Sequence, residues 1–170
     1  MGGRQTCLGP IYGDQFDHQA VVFEYEDGVR VFGFTRDQKE CHNETSDFIM
    51  GTKGTCNLLD FAIRGENPWR FERRRESMYD LEHRALFDAV RSGRPINNGH
   101  YMCLSSGLAI MAQMACYSGN LVTWEEVMQS KRSLALPRYD WDMEPPVRPD
   151  ANGHYATPMQ GHAEFDRWEM

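Results

Sequence analysis

Apolar residues along this chain follow a period of two in its first half and a helical period in its second. Between His18 and Arg36, the runs Ala20-Val21-Val22-Phe23-Glu24-Tyr25 and Val29-Arg30-Val31-Phe32-Gly33-Phe34 flank Asp27-Gly28. Asp-Gly between β-rich runs predicts a hairpin with a two-residue turn, both turn residues at positive φ. Glu26 then stands opposite Val29, Tyr25 opposite Arg30, Phe23 opposite Phe32 and Val21 opposite Phe34. That register gathers the aromatic side chains on one face and Val22, Glu24, Val29 and Val31 on the other. Neither face is cleanly polar, so both need cover, by helices on one side and by a second subunit on the other.

Residues 1–17 read as an extended arm with turns, with a short edge strand over Gly2 to Thr6. Phe48-Ile49-Met50 and Thr55 to Ile63 read as two further strands, joined by a tight turn through Gly51-Thr52-Lys53-Gly54. After Asn67-Pro68, Trp69-Arg70-Phe71-Glu72 reads as the last strand.

The helical period begins at Ser77, where Ser77 and Asp80 have the spacing of a capping box. Met78, Leu81, Ala85, Leu86 and Ala89 recur at helical spacing, and Gly93 with Pro95 ends the run. A second helix, from about Tyr101 to Tyr117, is apolar nearly all round, the mark of an element central to a core. Gly119 stops it. Thr123 and Glu126 form another capping box, opening a short helix that runs to about Lys131. From Ser133 onward, prolines and scattered aromatics read as an irregular tail. Strands first and helices afterwards make an α+β fold: an open, mostly antiparallel β-sheet with two or three helices packed on one face.

Composition narrows the class. The 170 residues are 41% hydrophobic and 12% aromatic, which suits one folded domain. A net charge of −7 argues against sequence-independent nucleic-acid binding, despite the basic run Arg70, Arg73, Arg74 and Arg75. No apolar stretch approaches the ~18 residues of a membrane span, so no membrane partner is expected. Cys7, Cys41, Cys56, Cys103 and Cys116 form no Cys-x-x-Cys pair and suit buried thiols in a reducing compartment. Met1 to Gln5 lacks the apolar stretch of a signal peptide. The favoured location is cytoplasmic, or periplasmic if an export signal lies upstream.

Three segments carry a resemblance: Gly51-Thr52-Lys53-Gly54-Thr55-Cys56, Tyr12-Gly13-Asp14-Gln15-Phe16-Asp17-His18, and Pro95-Ile96-Asn97-Asn98-Gly99. With the glycine-bracketed turn between strands and two helices joined through Gly-x-Pro, the chain resembles the C-terminal domain of the Gfo/Idh/MocA oxidoreductases, from about Gly2 through Trp141. The resemblance implies a substrate-binding and oligomerisation domain over 1–141, followed by a Pro-rich tail over 142–170. It implies a sugar or polyol substrate, a homo-oligomer formed through the sheet, and NAD(P) as cofactor of a complete enzyme.

Other residues of that chemistry are not in the chain. No Gly-x-Gly-x-x-Gly occurs to seat a pyrophosphate. Lys39, Lys53 and Lys131 stand outside any Glu-Lys-Pro motif, and the helix with the family's His/Asp pair has no counterpart. No cofactor-binding or catalytic residue is therefore assigned, and the chain alone is expected to be inactive. The alternative is a stand-alone carbohydrate-binding or protein-assembly module.

Candidate substrate-binding residues are Asp17, His18, Arg36, Asn43, Asn97, Asn98, His100 and Tyr101. Asp14 and His18 would share a face on a helix and form an acid–base pair, but Gly13 and the nearby strand oppose a helix there. Asp17 either bonds backbone N–H groups in a turn or faces substrate. Arg36, His42 and Asn43 occupy a polar loop, either solvated or ligand-binding. Asn43-Glu44-Thr45 also matches a glycosylation acceptor. Asn97, Asn98, His100 and Tyr101 gather at a helix start, where they cap the helix or receive a hydroxylated or anionic ligand. The six histidines show no metal-ligand spacing, so no metal site is expected.

Overall fold

A computed structural model describes residues 1–72, 76–131, 133, 135–145, 147–156 and 159–161. Arg73 to Arg75, Pro146, Pro158 and residues 162–170 lie outside the described residues. Among the described residues the fold is α+β, with two open antiparallel sheets of three and four strands and three α-helices. Contacts divide the chain into two units, Met1–Glu40 with Gly99–Met170, and Cys41–Asn98.

The first unit holds β1 (Gly2–Gly3), β2 (His18–Glu24) and β3 (Arg30–Arg36), with β2 central. The hairpin between β2 and β3 differs from the two-residue expectation. Tyr25 N–H donates to Val29 O (2.9 Å) and Gly28 N–H to Tyr25 O (2.9 Å), so Glu26, Asp27 and Gly28 form a three-residue loop. Gly28 has φ +83, while Asp27 is not at positive φ. A type I turn followed by one left-handed glycine meets that geometry, and the Asp27 carboxylate secures it by accepting from Val29 N–H (3.1 Å). The ladder slips by one residue. Phe23 pairs with Val31, Val22 with Phe32, Val21 with Gly33 and Ala20 with Phe34.

Helix α2 (Gly99–Ser118) follows, then α3 (Trp124–Gln129). The capping box on α3 is present: Glu126 N–H donates to Thr123 Oγ1, and Thr123 N–H donates to Glu126 Oε2 (2.7 Å). Trp124 holds α3 to α2 by lying over Gly107, where a Cβ would sit 2.8 Å from the indole. The expectation that α2 is central to a core needs correcting. Of its residues only Gly107, Cys116 and Tyr117 are buried, and among the described residues Cys116 and Tyr117 are the only buried apolar side chains. Its all-round apolar surface therefore meets no matching cover within the described chain.

The second unit holds β4 (Phe48–Gly51), β5 (Gly54–Asn57), β6 (Ala62–Gly65), β7 (Trp69–Arg70) and helix α1 (Met78–Arg91). The single strand expected over Thr55 to Ile63 is two strands. Asn57 Oδ1 accepts from Leu59 N–H (3.1 Å) and Asn57 Nδ2 donates to Asp60 (3.0 Å), so the amide side chain closes a turn inside the apolar run. Phe61 completes it at φ +52. The register aligns Ile49, Cys56, Ile63 and Trp69 in one row across all four strands. Ile49 is 57% and Trp69 55% exposed. At the start of α1, Ser77 occupies the N-cap position but its hydroxyl caps nothing, so that box fails. The other end closes as read, with Gly93 at φ +65 and Arg94 N–H donating back to Ala89 O (3.0 Å).

Candidate functional site

The most organised polar cluster lies where the N-terminal arm meets β2. Segment 4–17 is drawn into a compact loop by Arg4, whose guanidinium donates to the carbonyls of Cys7, Gly9 (3.2 Å) and Gly13 (2.6 Å). Tyr117 anchors the returning chain from α2. Its hydroxyl accepts from Phe16 N–H (2.9 Å) and donates to Gln15 Oε1 (3.3 Å), and its ring stacks on Phe16 with centroids 4.1 Å apart. Burial of that phenol raises its pKa.

Asp17 follows at once and is buried. Its Oδ2 accepts from the backbone N–H groups of Gln5 (2.8 Å), Thr6 (2.7 Å) and Cys7 (3.0 Å), and from the Thr6 hydroxyl (3.3 Å). Three successive amides converging on one oxygen form an anion-binding nest, here filled by the protein's own carboxylate. Burial alone would raise the Asp17 pKa. The amides of Cys7, Thr6 and Gln5 and the His18 ring outweigh it and hold the carboxyl well below the ordinary carboxylate range.

The remaining oxygen, Oδ1, lies 2.7 Å from His18 Nδ1. An ionised carboxylate only accepts, so Nδ1 carries a proton, and in the neutral ring Nε2 then holds a lone pair. The His18 side chain is 42% exposed, and among the described residues Nε2 has no protein partner. Its ring lies over Gly3, where a Cβ would meet Cε1 and Nε2 at 3.1 Å. A side chain at that position would crowd the imidazole. Arg36 stands directly opposite His18 in the β2–β3 ladder, so both side chains leave the same face.

Asp17, His18 and Arg36 are thus brought together. The acid–base partner of His18 is Asp17 rather than Asp14. His100 and Tyr101 are exposed at the far end of α2. Cys116 Sγ, near the other end, reaches Ala20 O (3.7 Å), whereas Leu104 and Leu108 border an open groove of about 680 Å³ with Tyr25 and Trp124. Sixteen residues of helix separate His100 from Cys116, a rise of about 24 Å. Asn43, Asn97 and Asn98 belong to the other unit and are exposed. The nest at Gln5 to Cys7, the Arg4 staple and the Tyr117 anchor had no sequence signal beyond residue type, because backbone amides do the binding.

No helix of the described chain is long and apolar enough to cross a membrane. Among the described residues, no group of three or more His, Cys, Asp or Glu side chains could hold a metal ion. A dinucleotide does not fit the residues present. Among the described residues, none of the three helices follows a strand through a glycine-rich turn of the kind that cradles a pyrophosphate. Compared with known protein families, curated proteins and solved structures, the chain gives no significant match.

Proposed function

We propose that this chain is the substrate-binding and oligomerisation domain of an NAD(P)-dependent sugar or polyol oxidoreductase of Gfo/Idh/MocA type, with no turnover of its own. The observation that carries this reading is the uncovered apolar surface of both sheets. Val22, Phe32 and Phe34 are 54%, 56% and 75% exposed on one face of the hairpin, and the Ile49–Cys56–Ile63–Trp69 row is open in the second unit. Contiguous exposed apolar faces on a folded chain mark surfaces made to meet protein, and open antiparallel sheets present such faces whole. The buried carboxylate that orients His18 beside Arg36 adds a polar site suited to hydroxylated ligands.

The test is solution mass by light scattering, with a carbohydrate thermal-shift screen in parallel. The wild-type mass should exceed 19.7 kDa by a whole multiple and fall to that value for Val22→Lys. A monomer that no sugar or polyol stabilises would sink the proposal. A stand-alone carbohydrate-binding module is the second reading. It draws on the exposed Phe61, Trp69 and Phe71, with ring centroids 6.1 Å apart for Phe61–Phe71 and 6.2 Å for Trp69–Phe71, as a stacking platform. Sugar-induced stabilisation that disappears in Trp69→Ala, in a chain of monomer mass, would favour it.

A further inference from the structure

We infer that His18 is a ligand-binding residue whose Nε2 accepts a hydrogen bond from a hydroxyl of a polyol or sugar, with Asp17 as its positioning residue. The inference rests on the reading of this chain as a substrate-binding domain and specifies the atom that does the binding. Three observations carry it. Asp17 is buried, and its Oδ2 is saturated by three backbone amides and a hydroxyl, so the carboxylate cannot turn away from the ring. Its second oxygen, 2.7 Å from Nδ1, then fixes one tautomer of the neutral ring, in which Nε2 is the acceptor. The ring itself is half-exposed at a sheet end, above a glycine that leaves it room.

A carboxylate tied down on one side and bonded to an imidazole on the other fixes the ring's tautomer and orientation, as it does for histidines that bind metals. A purely structural Asp17 would need only the three amides. Arg36, across the ladder on the same face, supplies donors and no acceptor. An acceptor on that face calls for a ligand hydroxyl that gives its proton to Nε2. Sugars and cyclic polyols are rich in such hydroxyls.

The experiment is a long-range proton–nitrogen correlation spectrum of the histidine rings of the full ¹⁵N-labelled chain, at about pH 8, titrated with myo-inositol, D-glucose and D-mannitol. The expected result is an Nδ1–H tautomer for His18 before any addition, and a saturable shift of Nε2 with at least one polyol. Asp17→Asn should release the tautomer and weaken that binding about tenfold, the equivalent of one hydrogen bond. The wild-type spectrum alone decides the matter if that variant does not fold. An Nε2–H tautomer in the free chain overturns the inference whatever the chain's function. Shifts elsewhere with the His18 ring unmoved overturn it and leave the domain reading standing. Silence of every resonance with all three polyols overturns the inference, and together with a monomeric solution mass it overturns the domain reading too.

Discussion

Replacing Asp17 by asparagine tests whether the carboxylate holds the N-terminal arm to the sheet. Oδ2 accepts three backbone N–H bonds between 2.7 and 3.0 Å, and Oδ1 accepts from His18. Hydrogen bonds to an ionised group contribute about 1.5–3 kcal/mol each, roughly twice the neutral kind. An asparagine oxygen in place of Oδ2 keeps the three bonds at about half strength, while its amide nitrogen can only donate, so the charge-assisted bond from His18 Nδ1–H is lost. Relief from burying a charge offsets part of that loss. The net expectation is about 3 kcal/mol of destabilisation, large beside the ~5–15 kcal/mol of a typical domain.

The dependence on pH gives a second check. The folded carboxyl titrates below its ordinary value of 3.8. Its stabilisation is therefore complete above that pH and declines as pH falls toward the lower folded value. Urea unfolding followed by circular dichroism, on both proteins at pH 7 and at steps down to about pH 2.5, should show a gap that narrows below about pH 4. A gap under ~1 kcal/mol at pH 7, the size of one neutral hydrogen bond, would refute the reasoning. So would a gap that stays constant down to the lowest pH.

Two smaller substitutions probe the local accounts. Gly107→Ala puts a methyl group 2.8 Å from the Trp124 indole, so α3 must move. A loss of about 1–3 kcal/mol and a red shift in tryptophan fluorescence are expected, and an unchanged spectrum would contradict that contact. Asn57→Ala removes the side chain that closes the β5–β6 turn. About 1 kcal/mol should be lost, with faster amide exchange in β5 and β6 and no change at the β2–β3 hairpin.

Much of the fold was legible because it depends on period and on punctuation. The two hairpin strands, the helix ended by Gly93, and the box at Thr123 all follow from local chemistry that tertiary contacts do not override. The failures share a cause. Ser77 and Asp80 have the right types at the right spacing, but a hydroxyl caps only if the chain entering the helix presents it, and residue spacing does not encode that. The run from Thr55 to Ile63 hides a turn because Asn57 and Asp60 punctuate it less visibly than glycine or proline. The all-round apolar α2 was read as the centre of a core, yet only Gly107, Cys116 and Tyr117 of it are buried, because the pattern of one helix does not say what packs against it. At the site, Asp17 and His18 were nameable from type and place. Their mutual geometry depends on Gln5, Thr6 and Cys7 through backbone amides, which every sequence has and none displays.

The third loop residue of the hairpin changes more than the turn. Side chains alternate along a strand, so a slip of one residue reassigns every neighbour. With Asp27-Gly28 alone as the turn, Val22 and Val31 would share a face, and charging either would test the same surface. In the observed register Val22 lies with Phe32 and Phe34, while Val31 lies across from Phe23 on the opposite face. The face carrying Val22, Phe32 and Phe34 is also the one from which His18 and Arg36 project. Arg36 is two residues beyond Phe34, about 7 Å along the strand. A protein surface seated on the apolar part of that face would therefore border the imidazole, excluding water beside an acceptor meant for a hydroxyl and strengthening the bond it makes. Assembly and ligand binding, read as separate duties of such a domain, would then be coupled through one face of one hairpin. Val22→Lys should weaken both together, whereas Val31→Lys should leave the His18 ring undisturbed.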